Sequence, residues 1–211
     1  LESLPGEGPE WCAVLPRVWR DRDEPALRTL LERARALGFT GVLIGNLGHL
    51  PLVRGLNFHL YGDYGLNVFN SRSLAYLKDK ELESACVSFE LRFAQIRDLK
   101  KVLRAEAIVY GRLPLMITEN CLVQNETGCR LDRQGPCVPE DGPCRCGQPN
   151  VLVDRTGAAF PLLPAYGHRT EIQNSKPLYL ADRPEHRRLG LAYARLRFTT
   201  ETAEECVSVV Q

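Results

Sequence analysis

Five of the eight cysteines fall within 26 residues, at Cys121, Cys129, Cys137, Cys144 and Cys146, in the run ENCLVQNETGCRLDRQGPCVPEDGPCRCGQ. Thiols gathered in this way act together: they hold a metal, hold an iron–sulfur cluster, or staple a loop through disulfides. Thiolates are soft ligands that suit iron–sulfur clusters and zinc, and four are needed to close either site. Cys144-x-Cys146 puts two sulfurs close together in a Gly/Pro-flanked stretch, and Cys121 and Cys129 approach from the other end. These four are the leading metal ligands, with Cys137 in reserve and His168, in Tyr-Gly-His-Arg, as a candidate ligand other than thiolate. On the residues alone an iron–sulfur cluster is favoured over zinc, and zinc over disulfides or free thiols. Cys12, Cys86 and Cys206 lie in apolar periodic stretches and read as core residues.

Other side chains have the right type for chemistry. Glu90 follows the strand-like Val-Ser-Phe, and a carboxylate at a strand end suits acid–base work or substrate binding. It equally suits a helix N-terminus, favoured by the dipole. Asp63 and Asn67 share this ambiguity, and Glu119 sits beside Cys121. His49 follows Gly48 in a turn, His59 lies in a strand where a structural role is the commoner one, and His186 reads as solvent-facing. Arg155, Arg169, Arg183, Arg187, Arg188, Arg195 and Arg197 crowd the C-terminal third, interleaved with Tyr166, Tyr179 and Tyr193. Such a face can hold RNA through phosphates and stacking. The favoured alternative is a solvated face paired with Asp182, Glu185 and Glu201. Gly45-x-x-Gly48 is no dinucleotide fingerprint, and no P-loop, His-Glu-x-x-His or Gly-x-Ser-x-Gly is present.

Elements must position these groups. At 211 residues, 44% hydrophobic and 25% charged, the chain has ordinary globular composition and can build its core without disulfides. A net charge of +1 exerts no global pull toward nucleic acid or membrane. No apolar run reaches membrane-spanning length, and the start has no secretion signal, so a cytoplasmic setting is expected and disulfides are disfavoured. The absence of a starting Met suggests a piece of a longer protein. Asn125-Glu-Thr127 matches a glycosylation sequon, a triplet common by chance.

Residues 1–10 read as a flexible lead. Strands are predicted at 11–18, 41–45, 57–64, 85–89 and 105–110. Between them helices are predicted over 23–38, around 50–54, from Asn70 or Ser71 through Lys78, and over 91–103. The first of these has Asp23 as N-cap, Pro25 in its first turn, and a buried stripe of Leu27, Leu30, Leu31, Ala34 and Leu37. Strand–helix alternation implies a parallel sheet, and short apolar strands without period-2 alternation fit burial on both faces. A closed β/α barrel and a doubly wound sheet both satisfy this pattern. From residue 113 the rhythm breaks. A Cys-rich irregular insertion with a small hairpin around Thr156-Gly157 occupies 119–180, after β/α units over 11–118. A strand is also expected within 176–180. A final β/α unit over 181–211 follows, with a short helix at 184–189, a strand at 191–198 and a helix at 201–210 capped by Thr199 or Thr200. The insertion thus lies at strand ends, where α/β folds carry their chemistry.

Several stretches resemble, in order, the collagenase-like peptidases of family U32. These are GFTGVLIGNLGHLPLVRG, GDYGLNVFNSRSLAYLKDKEL, VSFELRFAQIRDL and EAIVYGRLPLMITENC. The tail, LVDRTGAAFPLL followed by NSKPLYLAD, is similar to larger members. The resemblance covers most of residues 12–211. It implies a partial TIM-type (β/α) barrel, the C-terminal part of a larger member, whose N-terminal barrel half is the missing partner. About six strand candidates stand where a closed barrel needs eight. Exposed edges would be covered by a second copy in a homo-oligomer, a swapped segment or the insertion. Several members carry a 4Fe–4S cluster on four cysteines. Some act in RNA (rRNA or tRNA) hydroxylation, some in quinone hydroxylation, and others are described as proteases. Pro114 and Tyr110 stand where many members have Cys and His. A subunit of RNA hydroxylation is therefore expected ahead of a protease or a non-catalytic zinc- or cluster-stabilised fragment.

Overall fold

The computed structural model describes residues 10–127, 148–180 and 182–211. The described chain divides into two compact units, 1–108 with 181–195 and 109–180 with 196–211. Residues 109–118 therefore group with the segment that follows them. The division falls inside two strands, whose first residues belong to the first unit and last residues to the second.

In the first unit the chain runs β1 (Cys12–Val14), α1 (Glu24–Ala36), β2 (Gly41–Ile44), α2 (Leu50–Val53), β3 (His59–Gly62), α3 (Ser71–Asp79), β4 (Ser84–Cys86), α4 (Phe93–Asp98) and β5 (Arg104–Gly111). The order β1-β2-β3-β4-β5 is parallel throughout. Parallel neighbours need crossovers, and the short helices supply them. The sheet curls into half a barrel, as expected of a partial barrel.

Alternation along the strands sorts the two faces of the sheet. Ala85, Val87, Ala105 and Ala107 point into an apolar core with Val68, Leu74, Leu77, Leu82 and Ile96 of the helices and loops. Each such leucine or isoleucine contributes about 1.5–3 kcal/mol on burial. Ser84, Cys86 and Glu106 belong to the opposite face.

Helix α1 starts and ends close to prediction, with Asp23 as N-cap and Pro25 in the first turn. Its buried stripe is narrower than predicted. Leu27 and Leu31 are buried, but Leu30 and Leu37 are exposed. The helix packs against α2, so only the leucines one turn apart on that side are covered. Asn70 caps α3 through its side-chain oxygen, which accepts from the N–H groups of Arg72 and Ser73 at 3.0 Å each.

His49 is fully buried in the turn before α2, and its Nε2 lies 3.1 Å from the Pro16 carbonyl oxygen. A carbonyl only accepts, so Nε2 carries the proton. Nδ1 has no hydrogen-bond partner among the described residues. Burial holds the imidazole below its ordinary 6.5, against the opposing pull of Pro16 and Asp63. Protonation therefore favours the unfolded chain. The stabilising effect of a neutral His49 is complete above that value and is lost as pH falls below it. Urea unfolding of wild type and His49→Gln, followed by tryptophan fluorescence, is expected to show the stability difference narrowing on acidification. Parallel curves at all pH values would exclude this assignment.

The second unit holds β6 (Pro114–Thr118), α5 (Leu122–Thr127), β7 (Asn150–Val153), β8 (Ala159–Ala165), β9 (Arg169–Gln173), β10 (Leu178–Tyr179) and α6 (Ala203–Val210). Strands β6-β9-β8-β7 form an antiparallel sheet, with β7 and β8 the predicted hairpin. The described part of the insertion, 148–180, is thus regular where irregular chain was expected. Strand β10 pairs antiparallel with the end of β5. Strand β11 (Tyr193–Arg197) also pairs with β5. Gly111 has φ +122, and a Cβ there would lie 2.1 Å from the Arg197 carbonyl oxygen, so no larger residue fits.

Helix α6 starts later than predicted. Thr202 is its cap, with Oγ1 accepting from Glu205 N at 3.3 Å and the Glu205 carboxylate accepting from Thr202 N at 2.7 Å. This reciprocal pair is a capping box. Thr199 and Thr200 instead donate their N–H groups to the Glu201 carboxylate at 2.6 and 3.0 Å, which closes the preceding turn. Among the described residues no helix is long and apolar enough to cross a membrane.

Candidate functional site

At one end of the antiparallel sheet the second unit gathers the predicted ligands that are described. Thr118, the last residue of β6, pairs with Thr170 near the start of β9, and Ala165, the last of β8, pairs with Arg169. The turn Tyr166–His168 lies at this end, and His168 adopts φ 61. Cys121 follows β6 directly. Leu122 N donates to Thr170 Oγ1 at 3.1 Å, and Thr118 Oγ1 donates to the Asn120 carbonyl at 2.6 Å, which fixes the turn holding Cys121. Glu119 meets the buried Arg169 at 3.2 Å, and Arg169 also donates to the Tyr166 carbonyl at 3.1 Å. Cys121 is half-buried and in no disulfide.

The first residue of β7, Asn150, pairs with Leu162 toward the same end of β8. The segment carrying the clustered cysteines therefore leaves and rejoins the sheet at one end, the end that holds Cys121 and His168. Cys129, Cys137, Cys144 and Cys146 lie outside the described residues. Among the described residues no three or more His, Cys, Asp or Glu side chains are arranged to hold a metal ion. Cys121 with His168 offers a soft and a borderline donor, a set that fits iron or zinc once further thiolates join it.

The family model for peptidase family U32 matches residues 7–148. The chain belongs to this family. No curated protein and no solved structure matches the chain. The matched span of this U32 chain runs from the first strand through the clustered cysteines.

The U32 chain has a second polar constellation, in its first unit. Arg195 Nε and Nη2 grip Glu106 as a fork, with Nη2 at 3.1 Å, while Nη1 bonds Asp63. The three side chains are only 18%, 11% and 10% exposed respectively. Burial works against the Arg195 charge, yet the bond to Glu106 and the nearness of Asp63 raise its pKa above the ordinary guanidinium value. Asp63 also accepts from Tyr64 N at 2.9 Å, so the carboxylate after β3 is held from two sides. Cys86 shares the environment of this cluster, and burial pushes its thiol up to about 12. Cys12 is pushed up to about 11, by burial first and Glu10 second. Both thiols stay protonated at neutral pH and are inert as ligands or nucleophiles.

Sequence reasoning placed Asp63 at a strand end but missed its partners. The signal was present: Glu106 sits inside the apolar run AEAIVY, and charges inside such runs are almost always paired. Arg195, Arg197 and Arg169 do not form a solvated face with Asp182, Glu185 and Glu201. They are turned inward, Arg197 onto Glu171 at 2.7 Å and onto Gln173 Oε1 at 2.6 Å. Arg155, Arg183, Arg187 and Arg188 are the exposed remainder. Glu90 is exposed in the turn after β4, with its N–H 3.4 Å from Ser88 Oγ, and lies before the Arg92 cap of α4. Asn67 is exposed with φ 51. His59 is exposed and bonded to Glu83, which raises its pKa.

Proposed function

We propose that this U32 chain holds an iron–sulfur cluster through Cys121, Cys129, Cys144 and Cys146 and serves as a cluster-dependent subunit in RNA hydroxylation. The return of the cysteine segment to the sheet end that carries Cys121 and His168 supports the reading most directly. It lets thiolates distant in sequence approach one centre. A cluster supplies one-electron chemistry when bound. The chain's own contribution at this end is positional: Thr170 fixes the turn of Cys121, and Arg169 ties that turn to the His168 turn through Glu119 and Tyr166. The RNA part of the reading is supported by the exposed Arg155, Arg183, Arg187 and Arg188. Protein purified without air is expected to be brown, with a broad visible band and bound iron. Colourless protein with stoichiometric zinc overturns the cluster in favour of a zinc-stabilised role.

Proteolysis is disfavoured on the described residues. A peptidase needs a nucleophile beside a base and an oxyanion-stabilising group. Cys12 and Cys86 are held as thiols, while His49 bonds the Pro16 carbonyl and His59 bonds Glu83. Pure chain is expected to cleave gelatin and casein no faster than a Glu90→Gln control. Robust cleavage that this substitution abolishes, and that survives metal chelation, would establish the protease reading instead.

A further inference from the structure

Beyond the carboxyl ends of β2 and β3 lies a cleft of about 740 Å³ that the cluster reading does not use. Its lining includes Arg17, Asn46, Leu47, Asn70, Arg72 and Tyr76 and contains no Asp or Glu. Cavities of ~300–1,000 Å³ at the carboxyl ends of strands are where α/β folds take small ligands.

The hydrogen-bond inventory gives this wall its sign. Asn46 Oδ1 accepts from Gly48 N at 2.8 Å, and Asn70 Oδ1 accepts from Arg72 N and Ser73 N at 3.0 Å. The side-chain amide oxygens are therefore consumed by local backbone. What the wall has left is donors: the Arg17 and Arg72 guanidinium groups and the Asn70 amide. Arg72 is exposed and makes no ion pair among the described residues. Arg17 is held in place, its guanidinium 5.4 Å from the Tyr64 ring centre. Its stem crosses Gly65, where a Cβ would lie 2.9 Å from Arg17 Cδ and 2.5 Å from the Gly45 carbonyl oxygen. Only glycine leaves that path open. The nearest carboxylate, Asp63, is engaged by Arg195 and Tyr64 N. The positive end of α3 adds to the field.

Two guanidinium groups without a carboxylate suit a phosphate, which they bind through charge-assisted, forked hydrogen bonds. Leu47 and Tyr76, each 47% exposed, offer apolar surface and an aromatic face in the same cleft. We infer that this cleft binds a phosphate-bearing nucleotide, its phosphate on Arg17 and Arg72 and its base against Tyr76. The phosphate comes from a free mononucleotide or from a nucleotide within an RNA strand, and the two sources separate by experiment.

The full chain is titrated with AMP, inorganic phosphate and a short single-stranded oligoribonucleotide lacking a terminal phosphate, with heat of binding as readout. With a free mononucleotide as ligand, AMP binding saturates, inorganic phosphate competes, and Arg72→Gln weakens AMP about tenfold. Tyr76→Ala then weakens AMP but not inorganic phosphate. With RNA as the source, the oligoribonucleotide binds, AMP does not saturate, and Arg72→Gln again weakens binding. Arg33→Gln, an exposed charge change on α1, leaves either result unmoved. Arg72 and Tyr76 are both exposed, so their replacement leaves the fold intact by circular dichroism. No saturable binding of any probe, or equal binding by wild type and Arg72→Gln, overturns the inference. Either result leaves the metal content, and so the cluster reading, untouched.

Discussion

Arg195→Met is expected to lower the stability of the first unit by about 3–5 kcal/mol, the usual cost of removing one partner from a buried ion pair. The substitution keeps most of the apolar stem and removes the fork that binds Glu106 and the bond to Asp63. Two largely buried carboxylates then face each other without a cation, which is costlier than the lost bonds alone. Both tryptophans of the chain, Trp11 and Trp19, lie in this unit, so urea unfolding followed by fluorescence reports on it selectively. The deficit is expected to shrink as pH falls and the stranded carboxylates take up protons. Replacing all three, Asp63→Asn with Glu106→Leu and Arg195→Met, is expected to recover most of the loss, because well-packed apolar groups often match a buried ion pair. A single-variant loss below about 1 kcal/mol would place the cluster in the class of surface pairs.

The parallel sheet was legible because parallel strands buried on both faces write themselves as short apolar runs between helices. Leu27 and Leu31, the Asn70 cap and the Gly41–Ile44 strand all follow local rules. The antiparallel sheet was half legible. Its hairpin carries Thr156-Gly157, but β9 reads RTEIQ, mostly polar, and its partner β6 is far away in sequence. No local signal joins Thr118 to Thr170. The charge cluster failed to register for a related reason. Asp63 and Arg195 are 132 residues apart, and a single charged residue in a strand names no partner. Arginine crowding near the C-terminus was misleading because spacing along a chain does not tell an outward side chain from an inward one. The cysteine cluster was legible as chemistry at once, since its meaning lies in residue type and proximity rather than in a fold.

Cys121→Ala is expected to strip the metal. Loss of an outer hydrogen-bond partner already costs about 10–100-fold in metal affinity, and loss of a ligand costs more. Iron and zinc content after purification without air is therefore expected to drop at least about tenfold relative to wild type. Cys144→Ala and Cys146→Ala are expected to behave alike, because a centre needing four thiolates tolerates no vacancy. The contrast with the other thiols makes the test specific. Cys12 and Cys86 are pushed up to about 11 and 12 by burial, and a ligating sulfur must be deprotonated, so Cys12→Ala and Cys86→Ala are expected to keep full metal. Cys121 is half-buried and in no disulfide, so alanine removes little packing, and the turn stays pinned by Leu122 N on Thr170. His168→Ala separates the two ligand sets: partial loss with a shifted visible band marks His168 as a ligand, and unchanged content assigns the centre to thiolates alone. Full iron or zinc in purified Cys121→Ala would falsify the assignment of the sheet end as the metal centre.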